Sequence, residues 1–163
     1  MKFTIIIPCY NSEKWIEECL LTALNQTYKN TEVIFVDNES QDKSYEIAVN
    51  VKNTYPNLII KTAKNLYKYS YQEPVEEALK HCSGDFFTIL GSDDFIDKDY
   101  VKNIVTILNK SDKIKALQTP IRGVNGRNKT PVGDISHSYK NIKEFKHMLF
   151  ESCPVTTPTT ILQ

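Results

Sequence analysis

Hydrophobic positions in this chain fall into short continuous runs, separated by stretches whose apolar residues recur every three or four positions. Phe3 to Pro8 is an unbroken run, and Trp15, Ile16, Cys19, Leu20, Ala23 and Leu24 follow at helical spacing. The first predicts a strand covered on both faces, the second an amphipathic helix. Asn11 or Ser12 stands where a side chain accepts a helix's first free amide protons, and Glu13, Glu17 and Glu18 suit its positive end. Glu32 to Val36 predicts a second strand ending at Asp37, and Ser40 to Val51 a helix capped by Ser40 or Asp42. Leu58 to Lys61 predicts a short third strand. Pro74 stands in the first turn of a helix running to about Cys82, where its missing N–H costs nothing, and Gly84 is expected to end that helix. Phe86 to Leu90 predicts a fourth strand, and Val101, Ile104, Val105 and Leu108 mark the core face of a helix capped near Asp97. Ala116 to Ile121 predicts one more strand.

Beyond Arg122 the pattern weakens. Residues 123–134 read as an exposed loop or an irregular hairpin, with a lid as one use for it. Ile142, Phe145, Met148 and Leu149 share one face of a short helix, and Val155 to Leu162, broken by Pro158, reads as an edge strand. Nothing resembles a linker, so 1–163 reads as a single domain.

Strands alternating with helices at this spacing imply an α/β, Rossmann-like fold: a mostly parallel sheet flanked by helices and joined by right-handed crossovers. Such sheets hold ligands at the carboxyl ends of their strands. Pro8, Asp37 and Leu90 all end strands, so Tyr10, Asp37, Asn38, Asp93 and Asp94 should gather around one crevice. The fourth strand carries the sharpest signal. FFTILGSDD, residues 86–94, is an apolar run that stops at two adjacent carboxylates. Two such groups repel unless something positive sits beside them, and a hard divalent cation with bound phosphate is one answer. An Asp acting only as a helix N-cap is the plainer one. No GxGxxG follows the first strand and no GxxxxGK[ST] occurs, which leaves a metal to hold any phosphate.

Composition narrows the picture further. The chain has 163 residues, 40% of them hydrophobic, enough for a real core. Twenty basic and twenty acidic residues cancel, so no global field recruits nucleic acid or an anionic membrane. The amino-terminal apolar run is too short for a signal peptide or a membrane span, so a cytoplasmic location is expected. Cys9, Cys19, Cys82 and Cys153 form no CxxC pair and read as reduced, mostly buried thiols, while His81, His137 and His147 are scattered. Tyr67, Tyr69 and Tyr71, beside Lys61, Lys64 and Lys68, read as a solvated loop with its rings folded onto the body, ahead of a stacking surface for sugar.

The segment FTIIIPCYNSEKWIEECLLTALNQTYKNTEVIFVDNESQDKS, together with GDFFTILGSDD, resembles the amino-terminal part of the family 2 glycosyltransferases. The likeness runs over residues 3 to 110 and more loosely after that. It implies the A-type glycosyltransferase (nucleotide-diphospho-sugar transferase) fold, truncated here, with 1–110 as the nucleotide-sugar-binding core and 111–163 as the incomplete start of an acceptor-side region. It implies inverting transfer of a sugar from a nucleoside diphosphate donor, a UDP-sugar first, with Mn²⁺ or Mg²⁺ bridging the diphosphate. Carried over by position, Pro8 and Tyr10 flank the base, Asp37 and Asn38 read base and ribose, and Glu13 lies near the nucleotide. Asp93 holds the ribose or shares the metal, and Asp94 is the direct metal ligand. The expected partner is an unidentified glycan or lipid-linked acceptor, not nucleic acid; with a lipid-linked acceptor the chain would work peripherally at the inner face of a membrane.

The sequence departs from the family in three places. Asn38 stands where an aspartate is commoner, and Gln72 where many relatives have an arginine near the donor. The general base expected in relatives has no counterpart, because Glu144 and Glu151 lie in a predicted surface helix and in the wrong motif context. No catalytic residue is therefore assigned. A non-catalytic nucleotide-sugar-binding module is the alternative, and a receiver-like domain with Asp37 as phosphate acceptor is a third reading.

Overall fold

In the computed structural model of the chain, residues 1–66 and 71–110 are described with their side chains, and 116–118, 121–124, 131–135 and 160–162 by their backbone. Four strands, β1 (Phe3–Cys9), β2 (Thr31–Asp37), β3 (Ile59–Thr62) and β4 (Phe86–Ile89), alternate with four helices. These are α1 (Ile16–Leu24), α2 (Ser44–Thr54), α3 (Gln72–Leu79) and α4 (Tyr100–Leu108). The short strands β5 (Ala116–Gln118), β6 (Ile121–Val124), β7 (Pro131–Ile135) and β8 (Thr160–Leu162) follow. The main sheet runs β3-β2-β1-β4-β8-β5, with the first four parallel and β8 antiparallel to both neighbours. The mostly parallel sheet flanked by helices is thus the architecture that the alternating pattern predicts.

Every residue of β1 is buried, as a central strand requires. Its side chains alternate. Phe3, Ile5, Ile7 and Cys9 face a large core built from Ile16, Leu20 and Ala23 of α1, Ala48 and Val51 of α2, and Val101, Ile104 and Leu108 of α4. Ile6 joins Ile34, Val36 and Ala78 on the opposite face, where α3 lies. Each fully buried aliphatic or aromatic side chain here contributes about 1.5–3 kcal/mol relative to exposure.

The structure corrects several expected boundaries. Strand β8 is not an edge strand: it lies between β4 and β5, pairing Ile161 with Thr88 and with Leu117. The stretch 116–121 splits, with β5 ending at Gln118 and β6 starting at Ile121. Of the two readings for 123–134, the irregular hairpin is observed, since β6 and β7 pair antiparallel with a bulge between Gly123 and Val124. The expected helix around Ile142 to Leu149, with Glu144 and Glu151, lies outside the described residues, as do Tyr67 and Tyr69.

Gly84 does not end α3, which stops at Leu79, and its φ lies outside the left-handed region. The glycine is needed because β1 passes too close. A Cβ there would sit 2.9 Å from both Thr4 N and Phe86 O, and would press on Thr4 Oγ1. Backbone cannot yield as a flexible side chain can. Gly84→Ala is therefore expected to cost about 2 kcal/mol in urea unfolding, and an unchanged midpoint would refute the steric account.

Candidate functional site

Strand lengths create the crevice. β1 and β2 end level, Cys9 opposite Asp37, whereas β4 ends at Ile89 opposite Ile6, three residues short of Cys9. The chain order also reverses here, because β2 and β3 lie on one side of β1 and β4 on the other. That is the switch point at which open α/β sheets bind ligands. Pro8 fits this edge for a backbone reason. Ile6 O accepts Leu90 N at 2.8 Å, so Pro8, of the same parity, turns its missing N–H toward the gap beyond Ile89, where no ladder bond is lost.

Three loops meet above the strand ends, and side chains expected to cap helices instead tie the loops together. Asn11, in the left-handed region at φ 52°, accepts Gln41 N on Oδ1 at 2.7 Å and donates its own N–H to Ser40 Oγ at 3.0 Å. The Glu13 N–H donates to Asp42 Oδ2 at 2.9 Å, and the Glu13 carboxylate accepts Lys43 N at 3.1 Å. Glu13 therefore serves the amino end of α2, not that of its own helix. Among the described residues no side chain caps α1, which starts at Ile16, and α2 starts at Ser44, four residues later than Ser40, whose hydroxyl accepts Asn11 N instead. Asp42 does hold the first turn of α2: its Oδ1 accepts Ser44 N at 3.0 Å and Ser44 Oγ at 2.5 Å. Burial works to raise the Asp42 carboxyl, but these donors and Glu13 N hold it below its usual value.

The crevice edge is acidic. Asp37, 5% exposed, accepts Ser40 N on Oδ2 at 3.1 Å, while its buried Oδ1 has no hydrogen-bond partner among the described residues. Asn38 is buried, and its N–H donates to Cys9 O at 2.8 Å. Across the gap, a turn in which Asp94 N donates to Gly91 O at 3.0 Å presents exposed Asp93 and half-buried Asp94. Burial and the Asp93 charge push the Asp94 carboxyl up to about 6. The same pair acts on its surroundings. Burial first, and then the charges of Asp94, Cys9 and Asp93, push the Cys19 thiol well up; partial burial and both aspartates raise the phenol of Tyr71. Among the described residues no lysine or arginine pairs with Asp37, Asp93 or Asp94. An uncompensated acidic pair opposite an unpartnered carboxylate oxygen fits a hard divalent cation. No group of three or more metal-ligating side chains occurs among the described residues, so such a cation would take one or two carboxylates and complete its shell from phosphate and water.

The predicted residues thus sit at one sheet edge: Pro8 and Asn38 buried, Tyr10 half-buried, Asp37 between β1 and the β2–α2 loop, and Asp93 with Asp94 on the β4 side. Tyr71, expected in a solvated loop, is 61% exposed and lies within the field of the acidic pair. A separate groove of about 500 Å³ runs along α1 against the β4–α4 loop, between Glu17, Leu21, Asn25, Ile96 and Lys98, and contains none of these residues.

Comparison with known proteins decides the family. The sequence matches Glycosyl transferase family 2 over residues 4–163. The chain belongs to that family. It is 33% identical over 129 residues to the poly(ribitol-phosphate) beta-N-acetylglucosaminyltransferase TarS of Staphylococcus aureus, covering 78% of this chain and 22% of TarS. The crystal structure of TarS 1–349 in complex with UDP-GlcNAc superposes with a TM-score of 0.71 at 27% identity, over 99% of this chain and 45% of that one. The mannosyltransferase PcManGT of Pyrobaculum calidifontis, in complex with GDP-Man and Mn²⁺, gives a TM-score of 0.62 at 26% identity, over 71% of this chain and 34% of that one. The chain therefore spans about a fifth of the length of TarS, and its fold is the A-type glycosyltransferase fold. Among the described residues, no helix is long and apolar enough to cross a membrane.

Proposed function

We propose that this chain is the donor-binding part of an inverting, metal-assisted glycosyltransferase that moves a sugar from a UDP-sugar to an acceptor hydroxyl. The observation that carries the reading is that the ends of β1, β2 and β4 bring to one sheet edge an Asp37 Oδ1 with no hydrogen-bond partner and an Asp93–Asp94 pair with no cationic partner among the described residues. Family membership supports it, and so do the UDP-GlcNAc and GDP-Man with Mn²⁺ in the complexes of similar proteins. Pro8 and Tyr10 flank the base, Tyr10 offering a ring to stack on. Asp37 and Asn38 address base and ribose, Asp93 the ribose or the metal, and Asp94 binds the metal directly. Glu13 contributes by clasping the loop that carries Asp37 to Asp42. Bound Mn²⁺ or Mg²⁺ would offset the charge that develops on the departing diphosphate.

Inversion needs a base on the face opposite the leaving group, and we place that base outside the described residues. The acceptor is a glycan or lipid-linked hydroxyl, reached peripherally if it lies at a membrane. The 1–110 region acts as the donor core and 111–163 begins the acceptor side. Calorimetric titration of UDP with and without Mn²⁺ tests this. We expect at least tenfold tighter binding with the metal, about 1.4 kcal/mol. Failure of UDP, GDP and TDP alike to bind would overturn the reading. Donor binding without transfer or hydrolysis over a panel of acceptors would favour a non-catalytic nucleotide-sugar-binding module.

A further inference from the structure

Three serines, Ser12 and Ser92 from the loops after β1 and β4 and Ser44 from the first turn of α2, form a buried chain between the nucleotide side of the crevice and its acidic turn. Ser44, fully buried at the start of α2, donates its hydroxyl to Asp42 Oδ1 and accepts Ser12 N at 2.7 Å. Ser12 Oγ in turn lies 2.6 Å from Ser92 Oγ. Ser12 and Ser92 are each 9% exposed. The Cys9 thiol lies among the same three hydroxyls, its pKa pushed to about 11 chiefly by burial, so it stays protonated and uncharged beside them. Ser92 immediately precedes the acidic pair. The turn is held at a second point, where the Cys19 thiol donates to Gly91 O at 3.3 Å.

Nothing in a simple helix-capping role requires this chain, since neither Ser12 nor Ser44 caps its own helix with a side chain. Its effect is to fix one distance. Buried, satisfied hydrogen bonds of this kind resist displacement because leaving one hydroxyl unpaired costs about 1–3 kcal/mol. Asp42, in the loop that follows Asp37, sits at one end of this serine chain, and Asp93 and Asp94 directly follow Ser92 at the other.

Building on the donor-site reading above, we propose that Ser12 and Ser92 are positioning residues that register the Asp93–Asp94 turn against the nucleotide loop, so that metal and nucleotide bind as a coupled pair. Neither serine is required to touch the donor. Their loss should therefore act on the coupling and not on nucleotide contacts as such.

The test is a double-mutant cycle with UDP titrated in the presence and absence of Mn²⁺. Ser12→Ala and Ser92→Ala should each weaken binding with Mn²⁺ by about 5- to 10-fold, and binding without Mn²⁺ by less than about twofold. The double variant should lose no more than either single one, because both remove the same bond. Ser92→Thr, which keeps the hydroxyl, should retain the coupling. In the ligand-free protein, amide hydrogen exchange at Ser92 to Asp94 should quicken in both alanine variants while the strands stay protected. Equal losses with and without metal, additive losses, or unchanged exchange at 92–94 would overturn the proposal. If Ser12→Ala fails to fold, Ser92→Ala probes the same bond from the other loop. Wild-type protein that binds UDP no better with Mn²⁺ would instead overturn the donor-site reading, a result the exchange measurement distinguishes from loss of the serine link alone.

Discussion

Asp94→Asn should reduce Mn²⁺-dependent UDP affinity on the order of 100-fold, about 2.8 kcal/mol, and at the same time make the metal-free protein more resistant to heat. The two effects have one cause. Asp94 is half-buried beside Asp93, and its carboxyl is pushed up to about 6 from 3.8 by that burial and by its neighbour's charge. A folded-state value above the unfolded one means that the folded protein holds the proton more tightly. The contribution of Asp94 to stability is therefore most favourable below about pH 4 and is lost as pH rises through about 6. At neutral pH the charged carboxylate strains the apo fold, and a neutral amide of the same shape removes the strain. The amide also removes the anionic oxygen that a hard cation needs. Residues that only orient metal ligands are commonly worth 10- to 100-fold in affinity, so the ligand role proposed for Asp94 belongs at the top of that range. Titration calorimetry with Mn²⁺, paired with thermal melts at pH 7 and pH 4, reads both quantities. A stabilised variant that binds as well as wild type would make Asp94 a bystander, and the stabilisation should vanish at pH 4 in either case.

That opposition between stability and binding also explains how much of the site could be read in the chain itself. The acidic pair was legible as a candidate site because an apolar strand ending in two carboxylates breaks the local pattern, and such breaks are where functional sites are expected. The crevice followed from the alternation of strands and helices, since a parallel sheet aligns the ends of β1, β2 and β4 whatever the side chains are. Polar residues near the loops were harder. Ser12, Ser40 and Asn11 have cap chemistry, and cap chemistry is the same whether the amide protons belong to the residue's own helix or to a loop some 30 positions away. In the fold Asn11 reaches Gln41 and Ser12 reaches Ser92, contacts that no local spacing encodes. Gly84 is a second instance. A glycine after a helical run suggests a C-cap, but here it is the close passage of Thr4 that excludes a side chain. Strand β8 was expected at an edge because Pro158 precedes it, yet antiparallel insertion between β4 and β5 depends on partners distant in sequence. Periodicity reports burial, not neighbours.

At the other end of the same three strands, Glu32→Ala should cost about 3 kcal/mol in urea unfolding at pH 7, a loss that shrinks in acid. Glu32 is the second residue of β2 and is 8% exposed. Its Oε1 accepts Thr4 Oγ1 of β1 at 2.6 Å and Ser83 N at 2.7 Å; its Oε2 accepts Ser83 Oγ at 2.6 Å and pairs with Lys2 Nζ at 2.6 Å. Truncation would leave several of these donors short of a partner at once, which is why the expected loss exceeds that of a surface ion pair. The Lys2 arm is 37% exposed, so solvent screens part of its contribution. Burial alone would raise the Glu32 carboxyl, but donors from Lys2, Ser83 and Thr4 outweigh it and hold the group at about 2, below its ordinary 4.5. A depressed folded-state value means that the stabilisation is fully present above 4.5 and is lost as pH falls toward 2. The gap between wild type and Glu32→Ala should accordingly be constant from pH 8 to about 5 and fall below half by about pH 3. A gap independent of pH would mean that Glu32 acts by packing alone. Because this clamp lies far from the acidic edge, Glu32→Ala should leave UDP affinity unchanged in whatever fraction remains folded. Asp94→Asn and Glu32→Ala thus separate the two jobs of these strands: one variant loses ligand and gains stability, the other loses stability and keeps ligand.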